Sequence, residues 1–147
     1  MITKSGLKLG IALPQGSRDG RIDIATVRDY ALQAEAAGFD DVWTIEQITG
    51  RYAVLESVSL LAHLSAITTR IRLGTAVLVT NLRNPIQLAK ELSSVDHLSG
   101  GRITVGVGLG GNTRMYAAHG LTEGRRVARF IEGIKVMKAS GRSPASR

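Results

Sequence analysis

Four short, apolar, β-branched runs recur along the chain at a spacing suited to a strand–helix repeat. They occupy residues 7–13, 41–45, 71–79 and 103–107, and their first residues stand 34, 30 and 32 apart. That interval is the size of one βα unit. The runs are nearly continuous in apolar character, as expected of parallel strands covered on both faces. Parallel neighbours cannot be joined by a tight turn, so each interval must hold a crossover, usually a helix.

The intervals carry helix signals of their own. Over 24–37, Ile24, Val27, Ala31 and Ala34 fall at helical spacing. Asp23 is placed to cap the start, and Gly38-Phe39 reads as a left-handed stop. Over 54–67, Leu55, Val58, Leu61, Ala62 and Ser65 share a face. Asn84-Pro85 announces a third helix, with Leu88, Leu92, Val95 and Leu98 on its inner side and Gly100-Gly101 at its end. A fourth, over 123–138, presents Val127, Phe130, Ile131, Ile134 and Met137.

The order βαβαβαβα argues for a parallel α/β fold with right-handed crossovers. An open doubly wound sheet and part of an eight-stranded βα barrel both satisfy it. A whole barrel takes roughly 250 residues, so this (βα)4 chain of 147 residues would supply only the first half. Residues 1–139 are expected to form that half, and 140–147, without periodicity or core residue, an irregular tail.

Composition narrows the function. The chain has no cysteine, which removes disulfide scaffolds, zinc–thiolate sites and thiol nucleophiles. No apolar run approaches the ~20 residues of a spanning helix, and residues 1–6 lack the apolar core of a secretory signal. A cytoplasmic protein without a membrane partner is the expectation. Of the net charge of +7, residues 123–147 contribute +5, from seven Lys or Arg against two Glu. Those cations flank an apolar helical stripe that includes Phe130, which reads as a solvated helix face and not a nucleic-acid surface.

Two local motifs carry chemistry. Gly106-Val107-Gly108-Leu109-Gly110-Gly111 satisfies the G-x-G-x-x-G pattern of dinucleotide binding, yet residues 112–120 intervene before the next helical periodicity. The alternative is a glycine-rich strand end that lets backbone approach a ligand. Glu46 ends the second run, at the strand terminus where parallel α/β folds bind ligands. From spacing alone it is either a ligand contact or an exposed loop acid. The three histidines, His63, His97 and His119, form no ligand-spaced cluster, so no metal site is expected.

Several segments then line up in order: Leu7-Lys8-Leu9-Gly10-Ile11-Ala12-Leu13-Pro14, Ala34-Glu35-Ala36-Ala37-Gly38-Phe39-Asp40, Val42-Trp43-Thr44-Ile45-Glu46, and Arg70-Ile71-Arg72-Leu73-Gly74-Thr75-Ala76-Val77. Arg83-Asn84-Pro85, Leu98-Ser99-Gly100-Gly101-Arg102-Ile103 and Gly106-Val107-Gly108-Leu109-Gly110 complete the set. Together, over roughly residues 7–138, they resemble the N-terminal half of the bacterial-luciferase-like oxidoreductases, which use FMN or the deazaflavin coenzyme F420.

The resemblance implies a flavin across the C-terminal mouth of a βα barrel. It implies a non-proline cis peptide at Ala76–Val77 bracing the ring, with Val79 close by, and Gly108, Leu109 and Gly110 bringing backbone to the cofactor. Glu46 and Gln47 would orient ring or substrate. Many relatives carry His at the position of Gln47, and glutamine cannot transfer a proton near neutral pH. Gly111 stands where the sugar-phosphate dehydrogenase branch has its proton-donating Glu, which speaks against that substrate. The implied activity is hydride transfer or monooxygenation of a small molecule, with cofactor affinity weakened because later phosphate-binding loops are missing. Unpaired outer strands predict self-association. A non-catalytic assembly module and an NAD-binding open sheet are the competing readings.

Overall fold

A computed structural model of the chain describes residues 6–111 and 113–140. The elements run β1 (Gly10–Ala12), β2 (Gly16–Ser17), α1 (Ile24–Ala37), β3 (Asp41–Thr44), β4 (Ala53–Val54) and α2 (Ser57–Ile67). They continue with β5 (Arg72–Val79), a 3-10 turn (Thr80–Leu82), α3 (Pro85–Ser99), β6 (Ile103–Gly108), α4 (Thr113–Ala118), a second 3-10 turn (Glu123–Arg125) and α5 (Arg126–Ser140). Of the tail expected over 140–147, Ser140 ends α5, and the remainder lies outside the described residues.

The four expected strands form one sheet in the order β1-β3-β5-β6. β1 pairs parallel with β3 (Ala12 opposite Trp43), and β3 with β5 (Thr44 opposite Thr75). Along β5 and β6, Leu73 N–H donates to Arg102 O at 3.0 Å and Thr75 Oγ1 to Gly106 O at 2.8 Å, so both strands climb together. A short antiparallel ribbon of β2 and β4 stands apart from this sheet. Neither of its two-residue strands shows a hydrophobic period, which is why the sequence did not reveal it.

Contacts divide the chain into two units, Met1–Leu78 with Val95–Gly106, and Val79–Ser94 with Val107–Arg147. In the first, Val27, Ala31 and Ala34 of α1 and Val58, Leu61 and Leu64 of α2 are buried, as are Val42, Ile71 and Leu73. Each such side chain contributes up to about 1.5–3 kcal/mol by leaving water. On the other face of β3, Trp43 lies against Gly10 and Gly74. A β-carbon at either position would meet the indole at 2.2 or 2.5 Å, so both neighbouring strands must be bare there. Towards the start of the same face, Arg72 donates to Thr104 Oγ1 at 2.7 Å and pairs with Asp41 at 3.7 Å.

Helix ends follow the expected chemistry. Asp23 Oδ1 accepts from Ala25 N–H at 3.0 Å, and Asn84 Oδ1 accepts from Ile86 and Gln87 N–H at 3.0 and 3.2 Å. At the end of α1, Gly38 adopts φ 87°, Phe39 N–H reaches Ala34 O and Gly38 N–H reaches Glu35 O. The apolar stripes needed correction at their ends. Ile24 and Leu98 are exposed, and the inner row of α3 runs Leu88, Val95, Ser99, because the last turn rotates Leu98 away. α5 has no fully buried residue, and its Val127 and Ile131 are 53% and 48% exposed.

Two motif residues prove to be joints. The Arg102 guanidinium donates to Ser99 O, Thr68 Oγ1, Ile71 O, Ser65 O and Thr68 O at 2.6–3.1 Å. Glu35 accepts from the N–H groups of Thr69, Arg70 and Ile71 at 3.1, 2.6 and 2.8 Å. Burial pushes the Glu35 carboxyl up, but these backbone donors and the Arg102 charge outweigh it, so it titrates below its ordinary value. Among the described residues no helix is long and apolar enough to cross a membrane.

Candidate active site

In the first unit the candidate residues gather where β3 and β5 end. Gln15, 1% exposed, is the knot there. Its Nε2 donates to Ile45 O at 2.8 Å and to Leu55 O at 2.9 Å, and its Oε1 accepts from Ile45 N–H at 2.8 Å. Ser57 Oγ adds a bond to Ile45 O at 2.8 Å. The β2–β4 ribbon ties the same two loops by backbone pairing. The segment that starts with Glu46 therefore leaves from a fixed point. Glu46 is half-buried, while the Gln47 amide folds back over Gly50, where a β-carbon would lie 1.8 Å from Nε2.

The peptide Ala76–Val77 is cis, as the resemblance implies. Within β5, Leu73, Gly74 and Thr75 are buried and so are Leu78 and Val79, but Ala76 and Val77 are consecutively exposed. A regular strand turns alternate residues to opposite sides, and here the alternation breaks at the cis bond. The result is a small apolar prominence, with Val77 42% exposed. The parallel register pairs Thr44 with Thr75, which puts Glu46 and Ala76–Val77 at the same, C-terminal end of their strands.

In the second unit, Gly108 ends β6, and Leu109 and Gly110 follow. Gly110 has φ 73°, and a β-carbon there would meet Val79 Cγ1 at 2.8 Å, so Val79 and Gly110 are in direct contact. Leu109 O accepts from the hydroxyl of Tyr116, a fully buried residue. Tyr116 Oη in turn accepts from Asn81 Nδ2 at 2.9 Å, whose second proton goes to Arg126 O at 2.9 Å. One chain of hydrogen bonds thus links the turn after β5, the strand end and the start of α5.

Gln15, Asn81 and Tyr116 escaped the sequence reading. The last sits on α4, six residues long, too short to show a helical period. Its stop was visible at Gly120, where Leu121 N–H reaches Tyr116 O at 2.8 Å. That helix opens at Thr113, after Gly111, whereas a dinucleotide fingerprint opens its helix inside the motif. No group of His, Asp or Glu among the described residues could hold a metal ion. At its strand ends the first unit offers backbone, the small apolar surface of Ala76 and Val77, and the carboxylate of Glu46.

The family model for luciferase-like monooxygenases matches residues 3–144. An uncharacterised protein of Mycobacterium tuberculosis is 48% identical over 75 residues, 51% of this chain and 27% of its own. The F420-dependent glucose-6-phosphate dehydrogenase of Amycolatopsis mediterranei is 32% identical over 118 residues, 75% of this chain and 35% of the enzyme. Among solved structures, the monooxygenase RslO1 from Streptomyces bottropensis superposes with a TM-score of 0.77 at 27% identity, covering 90% of this chain and 42% of that one. The match thus covers less than half of each of these three relatives. With the motifs, the parallel βα order and the cis peptide in β5, the match over residues 3–144 makes this chain a member of the luciferase-like monooxygenase family.

Proposed function

We propose that this chain carries the cofactor platform of an FMN- or F420-dependent oxidoreductase acting on a small molecule. The observation that supports it most is the exposed Ala76–Val77 prominence between two buried stretches of β5, in a chain of this family. Such an apolar step, without a charged side chain, fits the face of a planar ring system. In the first unit Ala76 and Val77 would brace the ring. In the second, Val79, Gly108, Leu109 and Gly110 would present side-chain and backbone surface, held by Tyr116 and Asn81.

When bound, the cofactor supplies hydride transfer or, reduced, the activation of oxygen. Glu46 can accept a hydrogen bond from ring or substrate, or hold a proton released during turnover. Gln47 can orient a partner but cannot relay a proton, so acid–base work would fall to Glu46 or to solvent. Excluding water is the role left to the apolar residues around Val77. The same chain is proposed to associate with itself, since Ile86 and Leu98 of α3 are 64% and 68% exposed and Val127 and Ile131 of α5 are 53% and 48% exposed.

Titration of the purified chain with FMN and with F420, read by absorbance and fluorescence, tests the proposal. Saturable binding of one of them is expected, weakened at least about tenfold by Val77→Asp, which sets a charge against the ring. No binding of either, or binding of NAD alone, would refute it.

A further inference from the structure

A second site lies within the second unit, between the turn that follows β5 and one side of α5. It is a cavity of about 380 Å³. Arg129, Gly133 and Met137 line it from α5, spaced four residues apart and so on one helix face. Thr80 and Asn81 line it from the 3-10 turn. Three buried polar atoms on these walls lack a hydrogen-bond partner, namely Thr80 Oγ1, Asn81 Oδ1 and Arg129 Nη1. Thr80 and Asn81 are 6% and 4% exposed. Buried polar atoms in folded proteins are nearly always paired, so three orphans facing one cavity mark a place built for a polar occupant.

Their chemistry specifies the occupant. Arg129 is permanently cationic and offers an N–H, so the cavity calls for an anionic acceptor. Arg83 adds a second positive charge to the wall. Asn81 imposes the opposite demand. Its Nδ2 is fixed by Arg126 O, which can only accept, so the amide cannot flip and Oδ1 must remain an acceptor. The occupant must therefore also donate a hydrogen bond. Thr80 can serve either partner. Leu82, Pro85, Leu121 and Met137 give the remaining wall an apolar share, beside Asn84 and His119. None of Ala76, Val77, Val79, Gly108, Leu109 and Gly110 lines this cavity, so the site is distinct from the proposed cofactor platform, although Asn81 both lines it and supports Leu109 through Tyr116.

We infer that this cavity binds a small 2-hydroxy carboxylate with a hydrocarbon side chain. The carboxylate accepts from Arg129 and Thr80, the 2-hydroxyl donates to Asn81 Oδ1, and the hydrocarbon meets Leu82, Leu121 and Met137. A plain carboxylate of the same shape leaves Asn81 Oδ1 bare, and an unmatched buried acceptor weakens binding about tenfold or more.

The test measures binding of 2-hydroxyisovalerate, isovalerate and inorganic phosphate to the whole chain by calorimetry and thermal shift. Saturable binding of 2-hydroxyisovalerate is expected, about tenfold tighter than isovalerate. Thr80→Val and Arg129→Gln should each weaken it at least about fivefold. Gly133→Leu tests the cavity without touching any polar group. The nearest atom to a β-carbon there lies 4.0 Å away, so a side chain can start from this position without a clash, and its bulk in the cavity should abolish binding. Circular dichroism establishes that each variant is folded. Overturning results are an absence of saturable binding up to roughly tens of millimolar, equal affinity for the hydroxylated and plain acids, or tighter binding of phosphate. Unchanged binding in folded Gly133→Leu would equally overturn the location.

Discussion

Replacing Gln15 by leucine should destabilise the chain by about 3 kcal/mol. The side chain is buried and makes three hydrogen bonds, two to Ile45 and one to Leu55. Ile45 O would keep Ser57 Oγ, at 2.8 Å, but Ile45 N–H and Leu55 O would lose the side-chain partner they have here. Each bare buried group costs about 1–3 kcal/mol, giving about 2–6 in all, from which the greater apolarity of leucine recovers one or two. Gln15→Glu sharpens the argument. A carboxylate keeps the acceptor for Ile45 N–H but turns an oxygen towards two carbonyl oxygens. At neutral pH it should be worse than leucine. Its folded pKa would be raised, so the loss should shrink as pH falls towards the unfolded value near ~4.3, where a protonated carboxyl can donate again. Urea unfolding followed by circular dichroism at several pH values measures both. A leucine variant within about 0.5 kcal/mol of the parent, the range of an ordinary surface change, would refute the reasoning.

Further outcomes can be checked. Glu35 titrates below the ordinary glutamate value of 4.5, so its contribution is complete above that pH and lost as pH falls through the lower folded value; Glu35→Gln should flatten the acid limb of stability measured by denaturation below about pH 4.5. Tyr116→Phe removes the bond to Leu109 O and leaves one of the two Asn81 Nδ2 protons without its partner, which should cost about 1–3 kcal/mol in urea unfolding and, on the platform reading, raise the flavin dissociation constant. Gly110→Ala forces a β-carbon against Val79 at a left-handed φ and should cost about 1–2 kcal/mol or more by the same assay. Light scattering after size exclusion should show a dimer or larger; a stable monomer of 15.7 kDa would contradict the proposed self-association.

The strand–helix order was legible because a parallel strand must be apolar on both faces and a crossover helix must be apolar on one. Caps at Asp23, Asn84 and Gly38 were legible because each supplies an atom or a backbone angle that few residues can. The β2–β4 ribbon was not, since two-residue strands have no period to read. Gln15, Asn81 and Tyr116 were hidden for a different reason: their importance lies in partners 30 to 45 residues away. Glu35 and Arg102 stood within motif segments, and the structure gives them joint roles, binding backbone groups 34 to 37 residues away. The Ala76–Val77 bond came from family resemblance alone, as no local propensity favours it.

Trp43, the only tryptophan in the sequence, lies against glycines of both flanking strands, β1 and β5. Its emission is therefore a single-site optical gauge of whether three strands are in register. Slippage of either neighbour by one residue would set a β-carbon where the indole now rests and shift the spectrum before helix content changes. The gauge belongs to the first unit, whereas Tyr116 is buried in the second. Exciting the indole alone, on the red side of the phenol band, would therefore follow the first unit by itself during an unfolding run.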